Sequence, residues 1–122
     1  MEIKENILVV SHLETDIHIL SETCKSYGLN AIKASSSMEA LNIVMSNPLI
    51  SLIFIDPNIP TIDNIDTSIK IKEFNEELQI IAIIPRDEYE SNKGGTYPFH
   101  DFIEKPINPN NIISIIETYI GI

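Results

Sequence analysis

Leu52-Ile53-Phe54-Ile55-Asp56-Pro57-Asn58-Ile59-Pro60 decides the fold of this chain. Its four apolar residues follow one another without alternation. A strand with one wet face would alternate, so this run reads as a strand buried on both faces. A carboxylate follows at once, and two prolines then keep the strand from continuing. Burial on both faces demands helices above and below, supplied by the rest of the chain in alternation with further strands.

The same near-continuous apolar character recurs at residues 7–10, 30–34, 51–55, 79–84 and 102–103. Between these runs the period becomes helical. Ile17, Leu20, Cys24 and Tyr27 recur at three- and four-residue steps until Gly28 stops them. Met38, Leu41 and Met45 predict a second helix, with Ser37 as its cap and Pro48 beyond its end. Ile65, Ile69 and Phe74 predict a third. Asn108 as cap, Pro109 at the first position and Ile112, Ile113, Ile116, Tyr119 and Ile120 after it predict the last. Gly94-Gly95 and Pro98 interrupt the stretch before the fifth strand, which predicts an irregular or shortened fourth helix. Right-handed crossovers turn this order into a doubly wound α/β domain with a five-stranded parallel sheet.

The chain has 122 residues, enough for one domain, expected to span 1–122. Hydrophobic residues make up 43% and charged residues 21%, a globular balance. Eight basic against 18 acidic residues give a net charge of −10, which repels phosphate backbones and anionic lipid, so nucleic acid and membrane are excluded as partners of this domain alone. No apolar run approaches the ~20 residues that span a bilayer, and a cytoplasmic location is expected. Cys24 is the single cysteine, has no disulfide partner within the chain and reads as a core residue. No Gly-rich phosphate loop is present.

Ligand crevices of open α/β sheets lie beyond the carboxyl ends of the strands. The loops to inspect are Ser11-His12-Leu13-Glu14, Asp56-Pro57-Asn58, Ile84-Pro85-Arg86 and Glu104-Lys105-Pro106. Asp56 and Lys105 there read either as a structural ion pair or as a nucleophilic carboxylate with its charge stabiliser. A Ser11–His12–Asp56 hydrolase triad is disfavoured, because neighbours at a strand end point to opposite sides. His12 with Asp56 offers a transition-metal site, against a plain hydrogen-bonded histidine at the rim. His18 reads as solvated, His100 has no ligand spacing to another histidine, and the acidic run Asp87, Glu88, Glu90 reads as a solvated face.

Over nearly its whole length the chain resembles the receiver domain of two-component response regulators. Ile7-Leu8-Val9-Val10 looks like the first strand, and Asp56-Pro57-Asn58-Ile59-Pro60 with Ile62-Asp63-Asn64 is similar to the phosphoacceptor loop. Phe102-Ile103-Glu104-Lys105-Pro106 resembles the aromatic–x–x–Lys–Pro signature, whose peptide before Pro is usually cis. The resemblance implies a flavodoxin-like (βα)5 fold with strand order 2-1-3-4-5. It implies Asp56 as phosphoacceptor for a histidine kinase, Lys105 as the phosphoryl contact, the Asn58 carbonyl as a magnesium ligand and Phe102 as the switch aromatic.

Two positions depart from that pattern. Ser11 and His12 stand where the family places its acidic magnesium-binding pair, and a hard cation prefers charged oxygen to a hydroxyl and an imidazole. Ile84 stands where the family places the Thr or Ser that bonds the phosphoryl group, and Ile cannot donate. The expectation is therefore an atypical, non-enzymatic receiver acting as a phosphorylation-independent interaction module. Its Mg2+ is expected to be weak, at a degenerate site of Asp56, Asn58, Ser11 and His12. A conventional receiver phosphorylated on Asp56, and a small metal-dependent hydrolase or phosphatase on the same scaffold, are the alternatives. Expected partners are a histidine kinase or a downstream signalling protein, with a homodimer through the last helix and fifth strand.

Overall fold

A computed structural model describes residues 5–46, 49–58, 64–88 and 98–121. Strands β1 (Asn6–Val10), β2 (Asn30–Ala34), β3 (Ile50–Ile55), β4 (Gln79–Pro85) and β5 (Asp101–Lys105) form one parallel sheet in the order β2-β1-β3-β4-β5. Helices α1 (Glu14–Ser26), α2 (Ser37–Ser46), α3 (Asn64–Phe74) and a C-terminal helix (Pro109–Ile120) alternate with them. Residues 86–88 are helical. The rest of the expected fourth helix, with Glu90 and Gly94-Gly95, lies outside the described residues, as do Pro48, Ile59, Pro60, Ile62, Asp63 and the side chain of Ile65.

Strand side chains alternate between the two sheet faces, and the alternation builds two cores. Ile7, Val9, Leu52, Phe54, Ile81, Ile83 and Ile103 meet Ile17, Leu20 and Cys24 of α1 and Ile112, Ile115 and Ile116 of the C-terminal helix. Leu8, Val10, Ile53, Ile55 and Ile80 meet Ala40 and Val44 of α2 and Ile71 of α3. The central strands are apolar on both faces because both faces are covered. Burial pushes the Cys24 thiol up to about 11, so it stays protonated as a core group.

Three helix faces differ from the sequence expectation. Met38 and Met45 are 72% and 61% exposed, while small Ala40 and Val44 fill the core side of α2. Small residues suit that side because α2 packs closely on α3, where Ser37 Oγ and Thr67 Oγ1 are hydrogen-bonded. Ser37 is thus inside the helix. The capping hydroxyl is Ser36, whose Oγ accepts the Glu39 N–H, while Glu39 Oε1 accepts the Ser35 N–H. Tyr27 is the exposed C-cap of α1, with Gly28 following at φ 74°, a left-handed turn that glycine adopts freely. Phe74 is exposed and Ile71 takes the buried place in α3. The C-terminal helix follows its prediction: Asn108 accepts the Asn110 N–H, Pro109 opens the helix and Gly121 ends it.

Candidate functional site

The alternation that builds the cores also aims the site. Asp56 continues the parity of Leu52 and Phe54, and Lys105 that of Ile103, so both side chains turn toward the layer of α1. The Asp56 N–H extends the β1–β3 ladder by donating to the Val10 carbonyl at 2.9 Å. Lys105 Nζ lies 2.7 Å from Asp56 Oδ2, an ion pair with a hydrogen bond, and Asp56 is 1% exposed. Asp56 Oδ1 accepts the Asn58 N–H at 2.9 Å. The Lys105–Pro106 peptide is cis, as the resemblance implies.

A further acid enters from α1. Asp16 Oδ2 is 3.5 Å from the same ammonium. Asp16 lies one turn before fully buried Leu20 on the same helix side, which carries its carboxylate over the sheet edge. Burial alone would lower the Lys105 pKa, but Asp56 and then Asp16 outweigh it and hold the ammonium above its usual value.

The strand-one loop contributes differently. Ser11 is fully buried and its Oγ accepts the Leu13 N–H at 3.1 Å, shaping the entry to α1. His12 is exposed. The side chain of Asn58 reaches across the cleft mouth, its Nδ2 donating to Glu88 Oε2 at 3.4 Å. Mg2+ favours six oxygen ligands in tight geometry. Here one Asp56 oxygen accepts from Asn58 and the other from Lys105, and His12 offers only nitrogen. Among the described residues no group of three His, Cys, Asp or Glu is placed to hold a metal ion. The donor set therefore does not fit a tightly held magnesium.

Ile84 and Phe102 have the opposite parity and lie on the other sheet face. With Ala82 they form a small buried apolar cluster, against which Phe99 packs edge-on to Phe102 with centroids 5.8 Å apart. Ile84→Thr is expected to destabilise the domain by about 1–3 kcal/mol, because it places a hydroxyl among these apolar groups. Urea unfolding checks this, and an unchanged midpoint would mean that the hydroxyl finds a partner there.

The strand order, the Asp56–Lys105 pair at the strand ends and the Lys–Pro turn now stand together, and residues 7–117 match the family described as Response regulator receiver domain. The chain belongs to the response regulator receiver family. No curated protein matches it by sequence. Among solved structures it is similar to a receiver domain protein from Clostridium thermocellum, with 21% identity, 96% of this chain and 94% of that one covered, and a TM-score of 0.81. It is likewise similar to a receiver protein from Pseudomonas putida, at 21% identity, 97% and 99% coverage and a TM-score of 0.79. A third is a Saccharomyces cerevisiae receiver domain, co-crystallised with the histidine phosphotransfer protein whose downstream regulator it is. That match has 20% identity, 95% and 88% coverage and a TM-score of 0.80. In this receiver the fold brings together Asp56 and Lys105, the two residues to which the resemblance assigns the phosphoacceptor and phosphoryl-contact roles. Sequence reasoning missed Asp16 as their companion. Among the described residues no helix is long and apolar enough to cross a membrane.

Proposed function

We propose that this receiver domain works in two-component signalling as a phosphorylation-independent interaction module. The observation that carries this reading is the strand-one edge of the cleft around Asp56, where a buried Ser11 that accepts the Leu13 N–H and an exposed His12 stand in place of the acidic pair. Phosphoryl transfer to a carboxylate needs concentrated positive charge on the phosphoryl oxygens, normally from a metal. A cleft with Ser11 and His12 at its edge gathers that charge poorly, and Mg2+ is expected to bind only in the millimolar range or more weakly. The apolar packing of Ile84 on Phe102 supports the same reading, because the Ile84 side chain carries no hydroxyl to relay a change at Asp56 to the aromatic ring.

The partner is a protein: a histidine kinase, a phosphotransfer protein of the kind the yeast receiver binds, or a downstream regulator. The exposed part of β5 and the C-terminal helix is the face assigned to it or to a second copy. The domain acts in the cytoplasm and is not itself an enzyme. The 2.7 Å Asp56–Lys105 pair favours one second reading, a conventional receiver phosphorylated on Asp56.

Exposure to acetyl phosphate, and separately to beryllofluoride, with Mg2+ and intact-mass and chemical-shift readout separates the two. No adduct on Asp56, together with partner binding that ignores Asp56→Ala, is the expected result. A stoichiometric adduct on Asp56 would restore the conventional receiver. Release of phosphate from a generic ester, abolished by Asp56→Ala, would instead establish a hydrolase.

A further inference from the structure

Asp56 and Lys105 would balance each other alone, yet the cleft holds a second carboxylate. Asp16 is only slightly exposed, and among the described residues its buried Oδ2 has no hydrogen-bond partner. A carboxylate held away from water needs a countercharge. The Lys105 ammonium at 3.5 Å is the cation placed to supply it, and the same ammonium lies 2.7 Å from Asp56. Three elements, the first turn of α1, the end of β3 and the end of β5, thereby meet at one nitrogen.

We propose that Asp16 stands in for the missing strand-end acids by holding Lys105 rather than a metal, so that the shared ammonium is the resident cation of the cleft. This rests on the receiver reading of Asp56 and Lys105 and adds to it a positioning residue and a cation of protein origin. Among the described residues Asp16, Asp56 and Lys105 together carry a single net negative charge. A divalent ion would have to displace a covalently tethered cation to enter. Removal of that ammonium leaves two carboxylates facing the same space, and the electrostatic preference for a divalent ion rises steeply.

The test is Mg2+ titration of the whole chain by chemical shift, on wild type, Lys105→Met, Asp16→Asn and the double variant. Lys105→Gln is carried alongside in case the methionine variant fails to fold. Lys105→Met or Lys105→Gln is expected to bind Mg2+ at least about tenfold more tightly than wild type. Adding Asp16→Asn is expected to abolish that gain. Asp16→Asn alone is expected to leave Mg2+ binding no tighter and to speed amide exchange at the end of β5 and the first turn of α1. Equal Mg2+ affinity in wild type and the Lys105 variants would overturn the proposal, as would a gain that survives Asp16→Asn. Unchanged exchange at both elements in Asp16→Asn would overturn it too. An acetyl phosphate adduct on Asp56 would overturn the phosphorylation-independent reading while leaving these titrations to judge the cation.

Discussion

Phe54→Ala is expected to destabilise the domain by about 3–5 kcal/mol, the range for an aromatic side chain removed from a packed core. Phe54 has no exposed surface. It sits on the central strand β3, registered between Val9 of β1 and Ile81 of β4. Leu20 and Cys24 of α1 and Ile112 and Ile116 of the C-terminal helix belong to the same cluster. Strands on both sides and helices above leave little that can move into the vacated volume, so the cavity persists and its full cost is felt. Urea unfolding measures the loss. Phe74→Ala is the control, because Phe74 is 53% exposed and its loss is expected to stay within about 0.5 kcal/mol. Comparable losses at the two positions would contradict the packing described here.

That contrast marks what a sequence can reveal. Phe54 lies in an unbroken apolar run, and such a run on a central strand has no wet side to choose, so its burial was legible. Phe74 lies on a helix, where a face must be chosen, and periodicity assigned it to the core that Ile71 occupies. On α2 the error has a different origin. Hydropathy favours Met38 and Met45, but the close approach of α2 to α3 and the sheet admits Ala40 and Val44 more readily. Long side chains are then left outside. Topology survived these errors because it depends on the order of runs, not on which side of each helix is buried.

The site divides in the same way. Asp56 and Lys105 were legible because each directly closes a buried strand, and strand ends of a doubly wound sheet converge. Asp16 required one more step, the recognition that a residue four before a core leucine shares its helix side. That signal was in the sequence, in the spacing of Asp16 and Leu20. The contact of Lys72 Nζ with His100 Nε2, 2.8 Å apart, had no such signal. The residues lie on different elements, and no motif joins a lysine near a helix end to a histidine before a strand.

Lys72→Met is expected to destabilise the domain by about 2–4 kcal/mol, in the range of lost charge-assisted hydrogen bonds and orphaned carbonyls. Lys72 is only 6% exposed at the end of α3. Its ammonium donates to the carbonyls of Glu76 and Leu78, the latter at 3.0 Å, and to His100 Nε2 at 2.8 Å. Methionine keeps the buried stem but leaves those acceptors without their donor. An ammonium can only donate, so its bond to His100 requires the tautomer with Nε2 unprotonated. Burial first, and then the Lys72 charge, hold the His100 pKa below its ordinary 6.5. The unfolded chain therefore takes up this proton before the folded one as the pH falls. The contribution of His100 is complete above pH 6.5 and is lost as the pH drops through that value toward the folded pKa. His100→Gln, which accepts a hydrogen bond but does not titrate, isolates the effect from the carboxylates that also weaken the domain in acid. The stability of wild type minus that of the variant is expected to be flat above about pH 7 and to fall below about pH 6.5. In Lys72→Met the His100 pKa, followed by ring chemical shifts, is expected to rise toward 6.5 because one of its two depressing causes is gone. A flat difference curve across the acid range, or a His100 pKa unmoved by Lys72→Met, would show that the two side chains do not meet in solution.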